Sequence, residues 1–208
     1  MKHHNVILLG PPASGKGTQA RQLADHLDIP CLGTGKLLRD EIDKGSAVGL
    51  EAKKYIEEGS YVPDETILKM VETWLDEHSE GWLMDGFPRT IPQAEALQKA
   101  AKPTCVIALH VPKEELEFRI TKRRECTSCR VTFAVNSIGD NICPECGTPT
   151  LVSRADDALE SFRVRYQNYE ELTIPLFDYY KSMGMLDKVD GTDSPEEVFK
   201  EILKIVER

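Results

Sequence analysis

Asn5-Val6-Ile7-Leu8-Leu9 runs directly into Gly10-Pro11-Pro12-Ala13-Ser14-Gly15-Lys16-Gly17-Thr18. A short, mostly apolar run ends in a turn rich in glycine and proline, and from Lys16 to Leu27 the pattern is helical. A strand, a G-x-x-x-x-G-K loop and a helix, in that order, form a cradle for phosphate. The glycines let backbone amides curl around phosphate oxygens, and the helix N-terminus adds the positive end of its dipole. Lys16 supplies a point charge for the outer phosphates. The strict motif has Ser or Thr directly after the lysine; here Gly17 intervenes and Thr18 follows. A ligand-free strand–helix turn would share the glycines and prolines, but strand, loop, lysine and helix together favour phosphate.

Working outward, further short apolar runs at 29–32, at Trp82–Asp85, at 104–110 and near 186–189 are predicted strands. Helical patterns lie between them. Thr34 is a plausible N-cap for a helix through Lys44, and a second helix from Leu50 to Glu58 is closed by Gly59. Pro63-Asp64-Glu65 opens a helix reaching about His78, with proline early and carboxylates in the first turn. Helices follow at 91–101, at 113–124, in one long run from about Ser153 to Met183, and from Pro195. Ser153-Arg154-Ala155-Asp156 resembles a capping box at the start of the long one. Strand alternating with helix predicts an α/β fold with a parallel sheet covered on both faces. Two half-polar regions, about 33–62 and 125–153, look like satellites of one core.

The bulk properties of the 208 residues agree: 40% are hydrophobic and 29% charged, an ordinary globular balance. The net charge of −9 argues against a general binder of nucleic acid or anionic membrane, while leaving room for a local cationic site. No stretch approaches the roughly 20 apolar residues of a membrane span. Met1-Lys2-His3-His4 runs into a strand too soon for a secretory signal, so a cytoplasmic protein is expected.

Of the six cysteines, Cys31 and Cys105 sit alone in apolar surroundings and read as buried small hydrophobes. The others form Cys126-Thr-Ser-Cys129 and Cys143-Pro-Glu-Cys146, two C-x-x-C pairs separated by 13 residues. Paired knuckles at this spacing suit a tetrahedral Zn²⁺ held by four thiolates, with no open position and therefore a structural role. Two disulfides, four free thiols or an iron–sulfur site are the alternatives; an intracellular setting disfavours the disulfides.

Residues 10–19, Gly33-Thr34-Gly35 with Leu38-Arg39, Asp85-Gly86-Phe87-Pro88-Arg89-Thr90, Arg119 with Arg123, and Arg154-Ala155-Asp156-Asp157 with Glu160 and Arg165 follow one another along nearly the whole chain. In this order they resemble the adenylate kinases, a family of nucleoside monophosphate kinases. The resemblance implies a P-loop three-layer fold with a five-stranded parallel sheet. It implies a core (1–32, 63–124, 154–208), an NMP-binding helical arm (33–62) and a small zinc-binding lid (125–153). The implied reaction is reversible transfer between ATP and AMP to give two ADP, with Mg²⁺, by a monomer that binds neither nucleic acid nor membrane.

The chemistry asks for many fixed cations, because phosphoryl transfer aligns several anionic groups and is catalysed mainly by positioning and charge. Lys16, Arg39, Arg89, Arg119, Arg123, Arg154 and Arg165 supply them, and arginine's planar fork suits phosphate. Arg119 and Arg123, four apart, are expected on one helix face, although Arg119 has Glu115 as a possible i,i+4 partner.

By resemblance, ATP would use Ala13, Ser14, Gly15, Lys16, Gly17 and Thr18, with Arg119, Arg123, Thr132, Phe133 and the backbone of Asp193 towards the base. AMP would lie against Thr34, Arg39, Ser60, Tyr61, Val62, Gly86, Phe87, Pro88, Arg89 and Gln93. Arg154 and Arg165 would bridge the transferred phosphate. Asp85, at a strand end beside the loop, would organise magnesium and its waters; Asp156 and Asp157 would steady the lid or the metal. Gln93 offers an amide for an adenine edge, or is simply an exposed helical glutamine. Three departures from the family pattern stand out: Lys36 where Asp is usual, Ser60 where Lys is frequent, and Ala13 in place of a loop glycine. A UMP/CMP kinase is the rival within the class, since it shares the loop and the Asp-Gly-Phe-Pro-Arg run but has a short lid. A zinc module acting on nucleic acid is the rival outside it.

Overall fold

A computed structural model describes residues 4–79, 81–134 and 142–208. Residues 1–3 and residues 135–141 of the expected lid lie outside the described residues, as does residue 80. The central sheet contains β1 (Asn5–Leu9), β2 (Cys31–Gly33), β3 (Trp82–Asp85), β4 (Cys105–His110) and β8 (Leu186–Asp190). They are five parallel strands in the order β2-β3-β1-β4-β8. The phosphate-loop strand β1 is therefore central, and its C-terminal end faces that of β3: Leu8 registers with Asp85.

Successive strand side chains point to opposite faces, and both faces are covered, so β1, β3 and β4 are mostly apolar, while the edge strand β8 carries Asp187, Lys188 and Asp190. Ile7, Leu9, Trp82, Met84, Val106 and Ala108 face one layer of helices. That layer holds α4 (Asp64–Glu77), α5 (Ile91–Ala100) and α8 (Pro175–Ser182). Val6, Leu8, Leu83, Ile107 and Leu109 face the other. There α1 (Lys16–Leu27) and α9 (Pro195–Val206) pack side by side. Ser194 caps α9 by accepting from the Glu197 amide at 3.3 Å, and Pro195 starts the helix where a missing N–H costs nothing.

The arm is a helical hairpin of α2 (Thr34–Asp43) and α3 (Ala47–Glu58). Ser46 caps α3 through the Gly49 amide at 3.0 Å. Gly49 lies inside α3, against α2: a Cβ there would stand 2.1 Å from the Glu41 carbonyl oxygen. Glycine's missing side chain is what lets the two helices approach. α6 (Lys113–Lys122) leads into a separate antiparallel sheet of β5 (Arg123–Cys126), β6 (Thr132–Ala134) and β7 (Leu151–Val152), in the order β6-β5-β7.

Four expectations need correction. The helix expected at 113–124 stops at Lys122, and Arg123 opens β5, so Arg119 and Arg123 do not share a helix face. Pairing of Arg123 with Ala134 across the small sheet outweighs local helix propensity. The long helix is broken: a 3₁₀ turn at Ala155–Asp157 precedes α7 (Leu159–Asn168), and a π-helical segment, Tyr169–Thr173, joins it to α8. Pro175, which has no N–H to donate, lies just beyond that segment, where the Ile174 amide reaches back five residues to the Tyr169 carbonyl at 2.9 Å. Ser153 forms no capping box; the residue before the turn is Arg154, and no side chain caps it. Cys31 is exposed and Cys105 only half-buried, because both stand at strand beginnings.

Candidate active site

The phosphate loop wraps its own lysine. Lys16 Nζ donates to the carbonyls of Gly10 at 2.8 Å and Pro11 at 2.7 Å, and to Ser14 Oγ at 3.3 Å. Enclosure of the ammonium pushes its pKa down to about 8; Asp85 opposes the shift, and Arg89, Arg165 and Arg123 add to it. Ala13 sits at φ 66°, in the left-handed region that glycine prefers, at a cost of roughly 1–2 kcal/mol. Gly10, at φ 149°, has no room for a Cβ, which would meet the Leu109 carbonyl at 2.9 Å. Asp85 reaches across from β3: its Oδ2 lies 3.3 Å from where a Gly17 Cβ would stand.

A second loop faces the first. Phe87-Pro88 is a cis peptide and Gly86 has φ 78°. Thr34 does not cap α2, whose N-cap is Gly33; its Oγ1 donates to the Gly86 carbonyl at 2.9 Å. Arg89 Nε donates to the same carbonyl at 2.8 Å, and the guanidinium lies over the Tyr61 ring at 4.9 Å. Gln93 is buried, not exposed on its helix. Its Oε1 accepts from the Arg89 amide at 2.7 Å, and its Nε2 donates to Asp64 Oδ1 at 2.6 Å. Thr90 Oγ1 donates to the other oxygen of Asp64 at 2.9 Å. Each end of the Gln93 amide keeps one hydrogen-bonding direction to spare.

Between the loops stands a cluster of paired guanidiniums. Arg154 grips Asp156 through two bonds, Nε to Oδ1 at 2.9 Å and NH2 to Oδ2 at 2.6 Å. Arg165 NH1 reaches Asp156 Oδ2 at 2.9 Å and the Asp156 carbonyl at 3.1 Å. Arg123 holds Asp157 through Nε at 3.0 Å and through NH2. Burial works against the Asp156 charge, but Arg165 and Arg154 outweigh it and hold the carboxyl well below the usual range. Burial likewise loosens the proton on Arg165, against the pull of Asp156. The 3₁₀ turn thus turns both aspartates inward, where a regular helix start would have exposed them.

One cleft of about 1060 Å³ runs between the two loops. Ala13 to Thr18, Arg119, Arg123, Thr132, Phe133 and Asp193 line it, and so do Thr34, Arg39, Ser60, Tyr61, Val62, Gly86, Pro88, Arg89 and Gln93. Asp85, Arg154, Asp156 and Arg165 lie along it as well. Phe87 is buried beneath the loop, and Asp157 is turned towards Arg123 and does not line the cleft. Arg119 does pair with Glu115, at 2.8 Å, and also donates to the Gly191 carbonyl at 2.9 Å. Lys36, exposed at the start of α2, also lines the cleft and pairs with Asp40 at 2.9 Å.

Sequence reasoning missed several residues. Thr173 donates to the Arg89 carbonyl at 3.0 Å and contacts Tyr61 Oη at 3.2 Å. Phe118, exposed, lies along the cleft beside Arg119. Glu125 is buried among arginines. No local pattern marks the first two; a carboxylate inside an arginine-rich strand could have marked the third.

The sulfurs of Cys126, Cys129, Cys143 and Cys146 lie within 4.8 Å of one another. Cys126 and Cys146 are 3.6 Å apart, as are Cys129 and Cys143, far beyond a disulfide bond of about 2.05 Å. Each pair ends in the same turn. Arg130 at φ 63° donates its amide to the Cys126 carbonyl at 2.9 Å, and Gly147 at φ 71° donates to Cys143 at 2.8 Å. The Cys129 amide also points at Cys126 Sγ, 3.5 Å away.

A family model for adenylate kinase matches residues 8–185. An adenylate kinase of Archaeoglobus fulgidus is 42% identical over 214 residues, covering 98% of each chain. One from Caldanaerobacter subterraneus subsp. tengcongensis is 43% identical over 209 residues, covering 96% of this chain and 94% of its own. One from Clostridium perfringens is 39% identical over 211 residues, covering 97% of both. With a phosphate loop, an opposing Asp-Gly-Phe-Pro-Arg loop and arginines between them, this chain belongs to the adenylate kinase family.

Proposed function

We propose that the two ends of the cleft bind ATP and AMP, and that the protein transfers the terminal phosphoryl group between them. The observation that carries this reading is the row of cations, Lys16, Arg39, Arg89, Arg123, Arg154 and Arg165, set around one cleft between two loops. In the transfer, an oxygen of the AMP phosphate bonds to the γ-phosphorus as the bond to the β-γ bridging oxygen breaks. Charge spreads over the equatorial oxygens at that point, and fixed guanidiniums stabilise it without reorganising. Lys16 holds the triphosphate end, Arg39 and Arg89 the acceptor phosphate, and Arg123, Arg154 and Arg165 the group in flight. Asp156 and Asp157 hold those three arginines in place.

Asp85 and Thr18, beside the loop lysine, fit a magnesium ion arriving with ATP, an oxygen-seeking cation that would neutralise charge between the outer phosphates. The four thiols fit zinc: tetrahedral bonds of about 2.3 Å place sulfurs about 3.8 Å apart, close to the 3.6 Å of the two measured pairs. Its role is structural, tying the β5–β7 sheet to the knuckles. Residues 33–62 act as the acceptor arm and 125–153 as the lid, with the small sheet starting at Arg123. Among the described residues no helix is long and apolar enough to cross a membrane.

A coupled turnover assay with Mg·ATP against AMP, CMP, UMP, GMP and dAMP tests the reading. Strong preference for AMP is expected. Preference for a pyrimidine monophosphate would keep the mechanism and overturn the acceptor assignment; no transfer to any of them would refute the activity.

A further inference from the structure

Glu125 is a carboxylate on the middle strand of the small sheet, with a side chain only 3% exposed. Three arginines surround it. Arg130 NH1 hydrogen-bonds its Oε1 at 3.1 Å. Arg39 NH2 and Arg154 Nε approach its Oε2 at 3.4 and 3.7 Å. Among the described residues no donor hydrogen-bonds that Oε2. Burial raises the carboxyl above its ordinary value, and Arg39 and Arg154 pull it back.

The second nitrogen of Arg130 pairs with Asp43. Asp43 and Arg39 are four residues apart, one turn along α2. Charges therefore alternate along a chain that starts and ends on the arm and passes through the lid: Arg39, Glu125, Arg130, Asp43. Arg39 and Arg154 come from different parts of the chain, and their like charges repel across the cleft; burial and the Arg154 charge both loosen the proton on Arg39. A single buried negative oxygen within 4 Å of both offsets that repulsion. Because it attracts Arg39 without a hydrogen bond, it leaves the Arg39 N–H groups to phosphate oxygens, while Arg154 keeps its Nε and NH2 on Asp156.

We propose that Glu125 is a positioning residue for the acceptor phosphate, its charge holding Arg39 and Arg154 side by side. The inference rests on the ATP:AMP reading above. The same chain of charges joins the arm to the lid, through Arg39 with Glu125 and Asp43 with Arg130.

The test is an initial-rate comparison of the full chain with Glu125→Gln, which keeps the shape and removes the charge, and Glu125→Asp, which keeps the charge and removes a methylene. The expected result for Glu125→Gln is a KM for AMP raised about tenfold, with the KM for ATP within about twofold and kcat within about threefold of wild type. Glu125→Asp is expected to keep the KM for AMP within about threefold. If the carboxylate only packs the strand, Asp is the worse variant and Gln the milder one, which overturns the proposal. An unchanged KM for AMP in Glu125→Gln, or an equal rise for both nucleotides, overturns it too. Should Glu125→Gln not fold, the pair Glu125→Gln with Arg130→Met, which removes one charge of each sign, carries the same expected rise and the same refutation. A wild-type enzyme inert towards AMP would instead refute the phosphotransfer reading, so the two failures are distinct.

Discussion

Raising the pH should weaken ATP binding through Lys16. In the free protein its pKa is lowered from 10.5 to about 8 by enclosure, with Asp85 opposing and Arg89, Arg165 and Arg123 reinforcing. A triphosphate brings negative charge to the ammonium and raises the pKa again, so only the protonated form binds well. The protonated fraction falls from roughly three-quarters at pH 7.5 to about 3% at pH 9.5, and the affinity should fall about 25-fold over that span. Burial loosens the proton on Arg165, but a guanidinium ordinarily keeps its charge across this span and Asp156 pairs with it. Calorimetry with a non-hydrolysable ATP analogue, in two buffers of different ionisation enthalpy, reads both the affinity and the proton. Close to one proton should be taken up per nucleotide at pH 9.5, and almost none at pH 7. Lys16→Met should bind weakly and without this slope. A flat wild-type affinity from pH 7.5 to 9.5 would refute the argument. The free protein changes in the opposite direction. Between pH 8 and 10.5 the unfolded chain holds a proton that folded Lys16 has lost, so this group's contribution to stability rises with pH there.

Three further outcomes follow from contacts described above. Gly49→Ala should destabilise the protein by about 1–3 kcal/mol, because its Cβ would stand 2.1 Å from the Glu41 carbonyl and force α2 and α3 apart; thermal melting reads it. Gln93→Ala takes the partner from the Arg89 amide and from one oxygen of Asp64, so it should cost about 1–3 kcal/mol of stability and raise the KM for AMP more than that for ATP; melting and initial rates together decide. Elemental analysis should find one zinc per chain, and a strong chelator or Cys143→Ser should lower the melting temperature; a metal-free protein of unchanged melting temperature would contradict the four-thiolate site.

The phosphate loop, the strand ending in Asp85 and the cysteine pairs were legible because each is a local pattern whose partners lie a few residues away. The strand–helix alternation was legible too, as β1, β3 and β4 are apolar on both faces. What escaped was decided by distant contacts. Nothing in Thr121-Lys122-Arg123-Arg124 stops a helix; β6 and β7 do so by pairing with β5. Ser153 and Asp156 have capping-box spacing, yet two arginines claim the Asp156 carboxylate and turn the segment into a 3₁₀ turn. The helix expected from Leu50 begins at Ala47 with Gly49 inside it, because the neighbour that requires that glycine, the Glu41 carbonyl, lies across a hairpin. Pro175 was the overlooked local signal, since a proline inside a helical run demands an irregular turn nearby.

Gly191 follows the edge strand β8 and stands against the phosphate loop: its amide donates to the His110 carbonyl at 2.8 Å, and a Cβ on it would lie 3.4 Å from the Ser14 carbonyl. Arg119 is anchored on its carbonyl, and Gln19 of α1 donates to that of Pro195 at 2.9 Å. The nucleotide cradle emerges from the ribosome first, and one of its walls about 180 residues later. A nascent chain that has not reached Pro195 carries the lysine without that wall, so catalytic competence arrives late in synthesis.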